Sequence, residues 1–518
     1  MSISRVAVIG AGIVGVALAR EITGRLPAAE VTVFDKADRV GAHQSGHTSG
    51  IVDPTLDAKA GSPEAKLARR GVELLVPYVS ERGIPYRECG QLLVAQTTDE
   101  ADRLEEILAR AEANAIPGVR LLDRKEIREV EPNARGVLAL YSPHTAVTDF
   151  TALTEAFASD VTAAGGTSRF GTEVTGLDVM SNEVRVRMCA AAPEPDTDAA
   201  SDTGADRRES GDHSQVRDDI DDQVHEAPRT YRGEDSTGPV IDFRDELRSR
   251  FGEQGWFKQV EDTIGNLSDR FTNPASGRER PGAPDHERPG AREQERPSTR
   301  ERERSERSED AEVFDLVIVC AGLQADRLAL AAGFDEEPRI VAFTSDYYSV
   351  DDSTEVVRGI IGTVPDAGTP FTGKSVVRGV NGSLSLGPNT FVSLGRERYD
   401  KHGFDLGDMG STVGFKGFWK FAAQTAKTAA RGAKSAVSSS SFVAEVRKFV
   451  PAIDASTVRP GTRGIRAQAI DAGGKLVDEL RVTTRGRLTM VRSLPRSGAT
   501  SALAAAERIA DQALDANA

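Results

Sequence analysis

The sequence predicts an α/β protein of two domains, one built on a parallel sheet and the other on a mostly antiparallel β-sheet. Two apolar strands, Val6–Ile9 and Phe314–Val319, are each followed by small residues and a helix, which is typical of parallel sheets covered by helices on both faces. Residues 338–400 alternate apolar and polar positions and include the turn Asn381-Gly382, as expected of antiparallel hairpins.

The first strand leads directly into Gly10, Gly12 and Gly15, which have the G-x-G-x-x-G spacing. Gly10 permits a tight turn, Gly12 lets the backbone approach a pyrophosphate, and Gly15 lets helix and strand pack closely. The helix N-terminus offers free N–H groups and a partial positive charge to that pyrophosphate. A second strand ends in Asp35, about 20 residues further on, where an acid binds a ribose hydroxyl. These features predict a Rossmann-like site for a dinucleotide, either FAD or NAD.

Two later stretches are expected at the same edge of the sheet. The loop 41–50, which contains His47, Ser49 and Gly50, follows the second strand, and ligands bind at the carboxyl ends of strands in open α/β sheets. Near the C-terminus a strand leads into residues 498–500 and a closing helix at 501–515. We expect that second helix N-terminus to face a ring carbonyl or an anion.

Composition excludes several classes of protein. The 518 residues carry a net charge of −15, which argues against nonspecific nucleic-acid binding because that requires a basic surface. Three widely spaced cysteines, Cys89, Cys189 and Cys320, suggest neither a disulfide framework nor a metal site. No apolar run is long enough to span a bilayer, and no signal segment precedes the first strand. We therefore expect a cytoplasmic location.

Residues 190–311 are rich in charged residues, Pro, Ser and Gly, so we expect a mostly disordered insert within one fold. Within it, residues 240–271 carry apolar residues at helical spacing. This segment is expected either to dock on the body or on a protein partner, or to form only a transient helix.

Residues 414–435 combine aromatic residues with Lys and Arg in an otherwise acidic protein. One interpretation is peripheral contact with an anionic membrane, at the inner face of the cell membrane. The alternative is a surface helix that packs its aromatic residues inward.

The chain is accordingly divided into alternating parts of two domains and the insert. The dinucleotide-binding parts are residues 1–80, 151–189, 312–336 and 456–518, the substrate-domain parts are 81–150 and 337–455, and the insert is 190–311.

Taken together and in order, the motifs resemble the D-amino-acid-oxidase-like FAD oxidoreductases, and within them the L-2-hydroxyglutarate oxidase/dehydrogenase group. The resemblance covers nearly the whole chain except the insert. Besides the glycine-rich turn, it rests on the segments Gln44–Gly50, Cys320–Asp326, Gly387–Asn389, Gly464–Gln468 and Gly498–Ser501.

The resemblance implies an FAD enzyme that removes a hydride from a carbon bearing a hydroxyl or an amine and passes electrons to oxygen or a quinone. It implies a small, carboxylate-bearing substrate such as a 2-hydroxy acid, with Arg466 as the carboxylate clamp and Lys475 assisting. The residues expected to hold FAD are Gly10, Gly12, Gly15, Asp35, Ser49, Gly50, Val174, Ala321, Gly322, Gly498, Ala499 and Thr500.

The sequence departs from the pattern of this group where a general base is expected. Asp53 occupies a position where the group usually has histidine, and a Gly-Val-His segment of the group appears here as Gly373-Lys374-Ser375. Histidine is the usual base near neutral pH, so His47 is the first candidate and Asp53 or Lys374 are substitutes. The alternatives are an FAD-dependent amino-acid oxidase or dehydrogenase, a catalytically altered flavin-binding scaffold, and an NAD enzyme.

Overall fold

The computed structural model describes residues 3–192, 310–351, 355–365, 373–399, 405–425 and 439–517. The predicted insert, including its apolar segment 240–271, therefore lies almost entirely outside the described residues. The strands are β1 (Arg5–Ile9), β2 (Glu30–Phe34), β3 (Ile51–Val52), β4 (Tyr86–Glu88), β5 (Gln91–Ala95), β6 (Arg120–Leu122), β7 (Leu138–Ser142), β8 (Ala146–Thr148), β9 (Thr167–Arg169), β10 (Thr172–Val179), β11 (Val184–Ala190), β12 (Asp310–Phe314), β13 (Leu316–Val319), β14 (Arg339–Val350), β15 (Ile360–Thr363), β16 (Ser375–Arg378), β17 (Leu384–Val392), β18 (Val458–Ile470), β19 (Leu476–Val477), β20 (Arg481–Arg485) and β21 (Leu488–Ser493). The helices are α1 (Ile13–Arg25), α2 (Pro63–Arg82), α3 (Thr98–Ala113), α4 (Arg124–Val130), α5 (Phe150–Ala163), α6 (Ala325–Ala331), α7 (Leu406–Val413), α8 (Ser439–Phe449) and α9 (Ala502–Asp515).

A six-stranded sheet, in the order β20-β21-β13-β1-β2-β9, carries the glycine-rich turn. β1 lies inside this sheet and pairs in parallel with β2 and β13, and only the edge strand β20 is antiparallel. Residues of α1, α5 and α9 pack with β1 in one apolar core. The apolar run Val6–Ile9 is at most 5% exposed, because these helices cover one face of the strand and residues of β10, β11, β12 and α6 cover the other. The predicted parallel α/β half of the fold is confirmed.

The strand predicted over Phe314–Val319 is divided between two sheets. β12 pairs with β11 in a three-stranded sheet with β10, whereas β13 joins the six-stranded sheet. The break lies at Asp315, whose Oδ2 accepts hydrogen bonds from the backbone N–H groups of Ser4 and Arg5. Asp315 thus anchors the chain at the point where it passes from one sheet to the other. Because apolar residues stand on both sides of this single polar position, the sequence pattern resembles one continuous strand.

The two strands that flank residues 193–309 are neighbours in one sheet. Met188 of β11 pairs with Asp310 of β12 in antiparallel register. A turn of a few residues would be enough to join these two paired strands. Such pairing on either side of a long segment is expected when that segment is an insertion within one fold.

A nine-stranded sheet forms the second half of the protein, in the order β19-β18-β14-β17-β16-β15-β5-β7-β6. All its pairs are antiparallel except β15 with β5. The predicted boundary at residue 456 assigns β18 to the dinucleotide-binding part. Instead, β18 pairs along the full length of β14, from Arg339 opposite Ile470 to Val350 opposite Val458. This long register places β18 in the substrate-domain sheet.

The aromatic and basic stretch at 414–435 is described only as far as residue 425, and residues 416–425 are helical. Phe415 and Phe421 are buried against Val341 and Phe343. In the described part, this packing favours the inward-facing alternative, while contact with a membrane through the whole stretch stays a prediction. Among the described residues, no helix has both the length and the apolarity to cross a bilayer.

Candidate active site

The turn between β1 and α1 lies against the carboxyl end of β13. Gly10 has φ +108°, and a Cβ atom there would lie 2.4 Å from the carbonyl oxygen of Cys320. A Cβ on Gly15 would lie 1.9 Å from the carbonyl oxygen of Gly10, so neither position accommodates a side chain. Gly12 caps α1 without a side chain, which leaves the helix N-terminus open to the adjacent cavity. The turn therefore fits a pyrophosphate.

Asp35 follows β2 and anchors the same turn. Its Oδ2 accepts a hydrogen bond from the Ala11 N–H at 2.6 Å, and its Oδ1 accepts one from the Ala37 N–H at 2.9 Å. Each carboxylate oxygen has a second lone pair, so the side chain can still accept a bond from a ribose hydroxyl. Val174 of β10 lines the same cavity, next to a bulge in the pairing with β11.

One cavity of about 1010 Å³ extends from this turn to the face of the nine-stranded sheet, at the upper limit of the about 300–1,000 Å³ typical of ligand pockets. Its lining includes most of the residues predicted to bind the cofactor. These are Gly10, Gly12, Gly15, Asp35, Ser49, Val174, Ala321, Gly322, Gly498, Ala499 and Thr500.

Gly50 contributes to the site through its backbone. It has φ +75°, and its carbonyl oxygen accepts a hydrogen bond from the Thr148 N–H at 2.8 Å. It is not among the residues that line the cavity. The bond fixes the loop that presents Ser49 to the cavity.

Arg466 lines the cavity from β18, at the end away from the glycine-rich turn. Its Nη2 lies 3.5 Å from Oδ1 of Asp478, and that oxygen also accepts a hydrogen bond from Gln468 at 3.1 Å. The Arg466 side chain is 27% exposed. Burial lowers its pKa, but arginine remains protonated in proteins. The guanidinium is thus a cation with a long, weak ion pair, and it has N–H donors to offer a ligand.

Tyr347 reaches the cavity from the neighbouring strand β14. Burial raises the pKa of its phenol to about 12, although a hydrogen bond with Ser49 and the charge of Arg466 act in the opposite direction. The phenol is therefore neutral near pH 7 and can donate a hydrogen bond.

Carboxyl groups gather close to Arg466. Arg496 binds Asp57 at 2.6 Å, and its Nε lies 3.7 Å from Glu64. Burial raises the pKa of Glu64 and of Asp53, against the opposing charge of Arg496. Asp53 lines the cavity, and its N–H donates to Oγ1 of Thr500 at 3.0 Å. This end of the cavity therefore combines two guanidinium groups with a cluster of carboxyl groups, and in two of these, Asp53 and Glu64, the pKa is raised.

His47 also lines the cavity, and its ring stacks on Tyr399 with the ring centroids 4.2 Å apart. Burial lowers the pKa of His47, while hydrogen bonds to the backbone at Arg463 and Ala42 act in the opposite direction. A neutral imidazole at physiological pH is compatible with the predicted role as a base.

The structure does not bring the two predicted lysines to the cavity. Lys475 is exposed in the turn between β18 and β19, where its N–H donates to Asp471 at 2.8 Å. Lys374 precedes β16, and its Nζ lies 5.7 Å from the centre of the Phe442 ring. Its neighbours Gly373 and Ser375 line the cavity instead, because successive residues of an extended strand face opposite sides.

Several lining residues were not singled out from the sequence. Arg496 follows β21, so its position at a strand's carboxyl end was a usable signal. Glu397 had none, because it forms an ion pair with Lys36 across a distance of more than three hundred residues in the chain. Burial disfavours ionisation of Glu397, but Lys36 and His43 outweigh it and lower its pKa to about 2.

The glycine-rich turn fits a pyrophosphate, and it opens into a cavity that is bounded on its other side by the nine-stranded sheet. This arrangement defines a class of protein, a dinucleotide-dependent protein of two domains. Residues 5–202 match the family described as DAO, FAD dependent oxidoreductase. This part of the chain is therefore an FAD-dependent oxidoreductase domain, whose cofactor is FAD. The glycines that exclude side chains from the cradle fit FAD as the ligand.

Relatives cover nearly the whole chain. The mitochondrial L-2-hydroxyglutarate dehydrogenase of Nematostella vectensis is 28% identical over 98% of this chain and 90% of its own length. The human enzyme of the same name is 27% identical over 98% and 88%.

Solved structures share the fold at low identity. L-alpha-glycerophosphate oxidase from Mycoplasma pneumoniae, with FAD bound, has a TM-score of 0.61 at 16% identity and covers 99% of this chain and 95% of its own. Glycine oxidase from Geobacillus kaustophilus has a TM-score of 0.60 at 15% identity, with the same coverage. These likenesses bear out the two-domain α/β fold.

Proposed function

We propose that the protein oxidises a small 2-hydroxy acid, of the type of L-2-hydroxyglutarate, to the 2-oxo acid by hydride transfer to FAD. The observation that carries this proposal is Arg466, a partly buried guanidinium in the cavity wall with one weak ion pair. A guanidinium can bind both oxygens of a carboxylate. Bound FAD supplies the hydride acceptor.

Residues around Arg466 suit the rest of such a substrate. Tyr347 provides a neutral hydroxyl on the strand next to β18, and Ser345 and Thr390 line the same wall. These hydroxyl groups can bind the second carboxylate or the hydroxyl of a hydroxy diacid. Curated relatives named L-2-hydroxyglutarate dehydrogenase, at 25–28% identity, support this substrate class.

The FAD-binding residues that we propose come from the family resemblance, and nearly all of them line the cavity. Gly10, Gly12 and Gly15 would meet the pyrophosphate, Asp35 the ribose, and Val174 the adenine. Next to the flavin we propose Ser49, Gly50, Ala321, Gly322, Gly498, Ala499 and Thr500. Electrons would then pass to oxygen or to a quinone.

A second candidate is oxidation of an amino acid. Four carboxyl groups, those of Asp53, Asp57, Glu64 and Asp478, surround two guanidinium groups at this end of the cavity. Such an excess of carboxyl groups favours a substrate with an ammonium group. Glycine oxidase and other amino-acid oxidoreductases among the structural neighbours share the fold alone.

An anaerobic reduction experiment tests both candidates. The FAD-loaded protein is mixed without oxygen with a matched series of lactate, malate, both enantiomers of 2-hydroxyglutarate, glycine, proline and glutamate, and flavin absorbance is followed. We expect L-2-hydroxyglutarate or a close analogue to bleach the flavin. Bleaching by amino acids alone would favour the second candidate, and none at all would indicate a flavin-binding scaffold.

A further inference from the structure

Asp53 differs from the other carboxylates at the substrate end of the cavity. Its Oδ1 accepts a hydrogen bond from the Thr55 N–H at 2.8 Å. Within the part of the chain that the structure describes, no other hydrogen bond and no ion pair reaches its carboxyl group. Because Asp53 lines the cavity, its second oxygen is available to a ligand.

The neighbouring carboxylates are already engaged. Asp57 binds Arg496 at 2.6 Å, and Glu64 lies 3.7 Å from the same guanidinium. Asp478 pairs with Arg466 and accepts a hydrogen bond from Gln468. Among the described residues, Asp57, Glu64 and Asp478 would each have to leave an ion pair before exchanging a proton with a substrate. Asp53 would not.

The backbone around Asp53 fixes its position relative to both ligands. Its N–H donates to Thr500, which lies in the segment before α9 that we propose contacts the flavin. Its Oδ1 holds Thr55, which has a left-handed backbone with φ +56° and is buried. A carboxyl group fixed in this way requires little reorganisation when it meets a substrate.

The surroundings of Asp53 raise its pKa, in the direction of neutral pH. Burial is the largest influence and raises its pKa, and Asp57 raises it further, whereas Arg496, the Thr55 N–H and Arg466 lower it. Glu64 is also electrostatically linked to Asp53. A base is most effective when its pKa lies near the operating pH, so a raised value improves an aspartate for this purpose.

We propose that Asp53 is the general base that accepts the hydroxyl proton of the bound substrate; this inference rests on the proposed function. The substrate O–H bond breaks and its proton passes to the free oxygen of Asp53. The C–H electron pair leaves as hydride to the oxidised flavin, and the C=O bond of the 2-oxo acid forms. A carboxylate thereby becomes a carboxylic acid while the substrate loses two electrons and two hydrogens.

The first test compares Asp53→Asn with the unchanged protein in anaerobic rapid-mixing experiments. Loss of a general base lowers rates by about 10²–10⁴-fold, so we expect flavin reduction in Asp53→Asn to slow by this factor and to lose its rise with pH. Asp57→Asn is the matched control, because its carboxylate lies in the same cluster but is engaged by Arg496; it should keep a pH inflection, displaced to lower pH because the charge of Asp57 raises the pKa of Asp53.

A binding measurement provides a readout independent of turnover. Protonated Asp53 can donate a hydrogen bond to the keto oxygen of the 2-oxo acid product, whereas ionised Asp53 cannot. The Kd of the 2-oxo acid, followed by perturbation of flavin absorbance, should therefore rise with pH through the titration of Asp53. In Asp53→Asn, the amide donates at every pH and this dependence should disappear.

The possible results distinguish failure of the proposed function from failure of Asp53 as the base. If no 2-hydroxy acid reduces the flavin of the unchanged protein, the proposed function fails. If reduction occurs but Asp53→Asn reacts at an unchanged rate with an unchanged pH profile, Asp53 is not the base. Should Asp53→Asn lose FAD or fail to fold, Asp53→Glu decides, because a base of altered reach must shift the pH profile of both reduction and product binding; unchanged profiles overturn the proposal.

Discussion

Replacement of Arg466 by methionine is expected to weaken binding of a carboxylate substrate while leaving the fold and FAD content intact. Methionine retains much of the arginine stem, and among the described residues the ion pair that is lost is the 3.5 Å contact with Asp478, which keeps its hydrogen bond from Gln468. A hydrogen bond to a charged group contributes about 1.5–3 kcal/mol. Since 1.4 kcal/mol is a factor of ten, substrate Kd should rise about 10- to 150-fold.

The measurement is the concentration dependence of anaerobic flavin reduction, which gives the substrate Kd separately from the rate of the chemical step. Arg459→Met is the matched control, because Arg459 lies on the same strand β18 but is exposed and does not line the cavity. Its Kd should not change.

A neutral analogue identifies the group that Arg466 binds. The unchanged protein should bind the 2-hydroxy acid far better than its methyl ester, whereas Arg466→Met should discriminate little between them. Equal loss of affinity for acid and ester, or no loss for either, would refute the reasoning that this guanidinium clamps the carboxylate.

The remaining predictions concern the cofactor cradle, the ion pair across it and the phenol. Gly15→Ala should purify with little FAD because its Cβ would lie 1.9 Å from a carbonyl oxygen, whereas Gly24→Ala in the same helix, with open space around its Cβ, should retain FAD; equal flavin-to-protein absorbance ratios would contradict this. Glu397→Gln should lower the free energy of unfolding at pH 7 by about 3 kcal/mol, the equivalent of a pKa depressed from 4.5 to about 2. A carboxyl group whose pKa is lower in the folded than in the unfolded protein stabilises the fold at pH values above its unfolded pKa. The difference in free energy of unfolding between the two proteins, measured in urea, should therefore shrink as pH falls from 4.5 toward 2. A constant difference would argue against the ion pair with Lys36. Tyr347→Phe should raise substrate Kd by about 2- to 13-fold through loss of one neutral hydrogen bond, equally at pH 6 and pH 9 because the phenol pKa is about 12.

The amino-acid sequence by itself determined the dinucleotide half of the protein. The spacing of Gly10, Gly12 and Gly15, and the acid at Asp35, depend on local geometry that the chain specifies within about 30 residues. For the same reason, the buried strands β1 and β13 were identifiable from apolar runs alone. The family resemblance extended these local signals to the whole chain.

Tertiary structure decided which distant residues face the cavity. Strand alternation turns Lys374 toward Phe442 and leaves Ser375 on the cavity side, and a shift of one residue in register would reverse them. The pairing of β18 with β14 places Arg466 opposite Phe343, close enough for its charge to act on Tyr347, and no local signal in the sequence indicates this pairing.

The chemical character of Asp53 also depends on the folded protein. A sequence gives the identity of an aspartate but not its burial, its bound partners or the charges around it, and these three factors set its pKa. The charges of Arg466 and Arg496 act on Asp53 from segments that are more than four hundred residues away in the chain. The sequence thus specified the cofactor cradle, whose contacts are local, whereas only the fold assembled the substrate end, whose contacts are not.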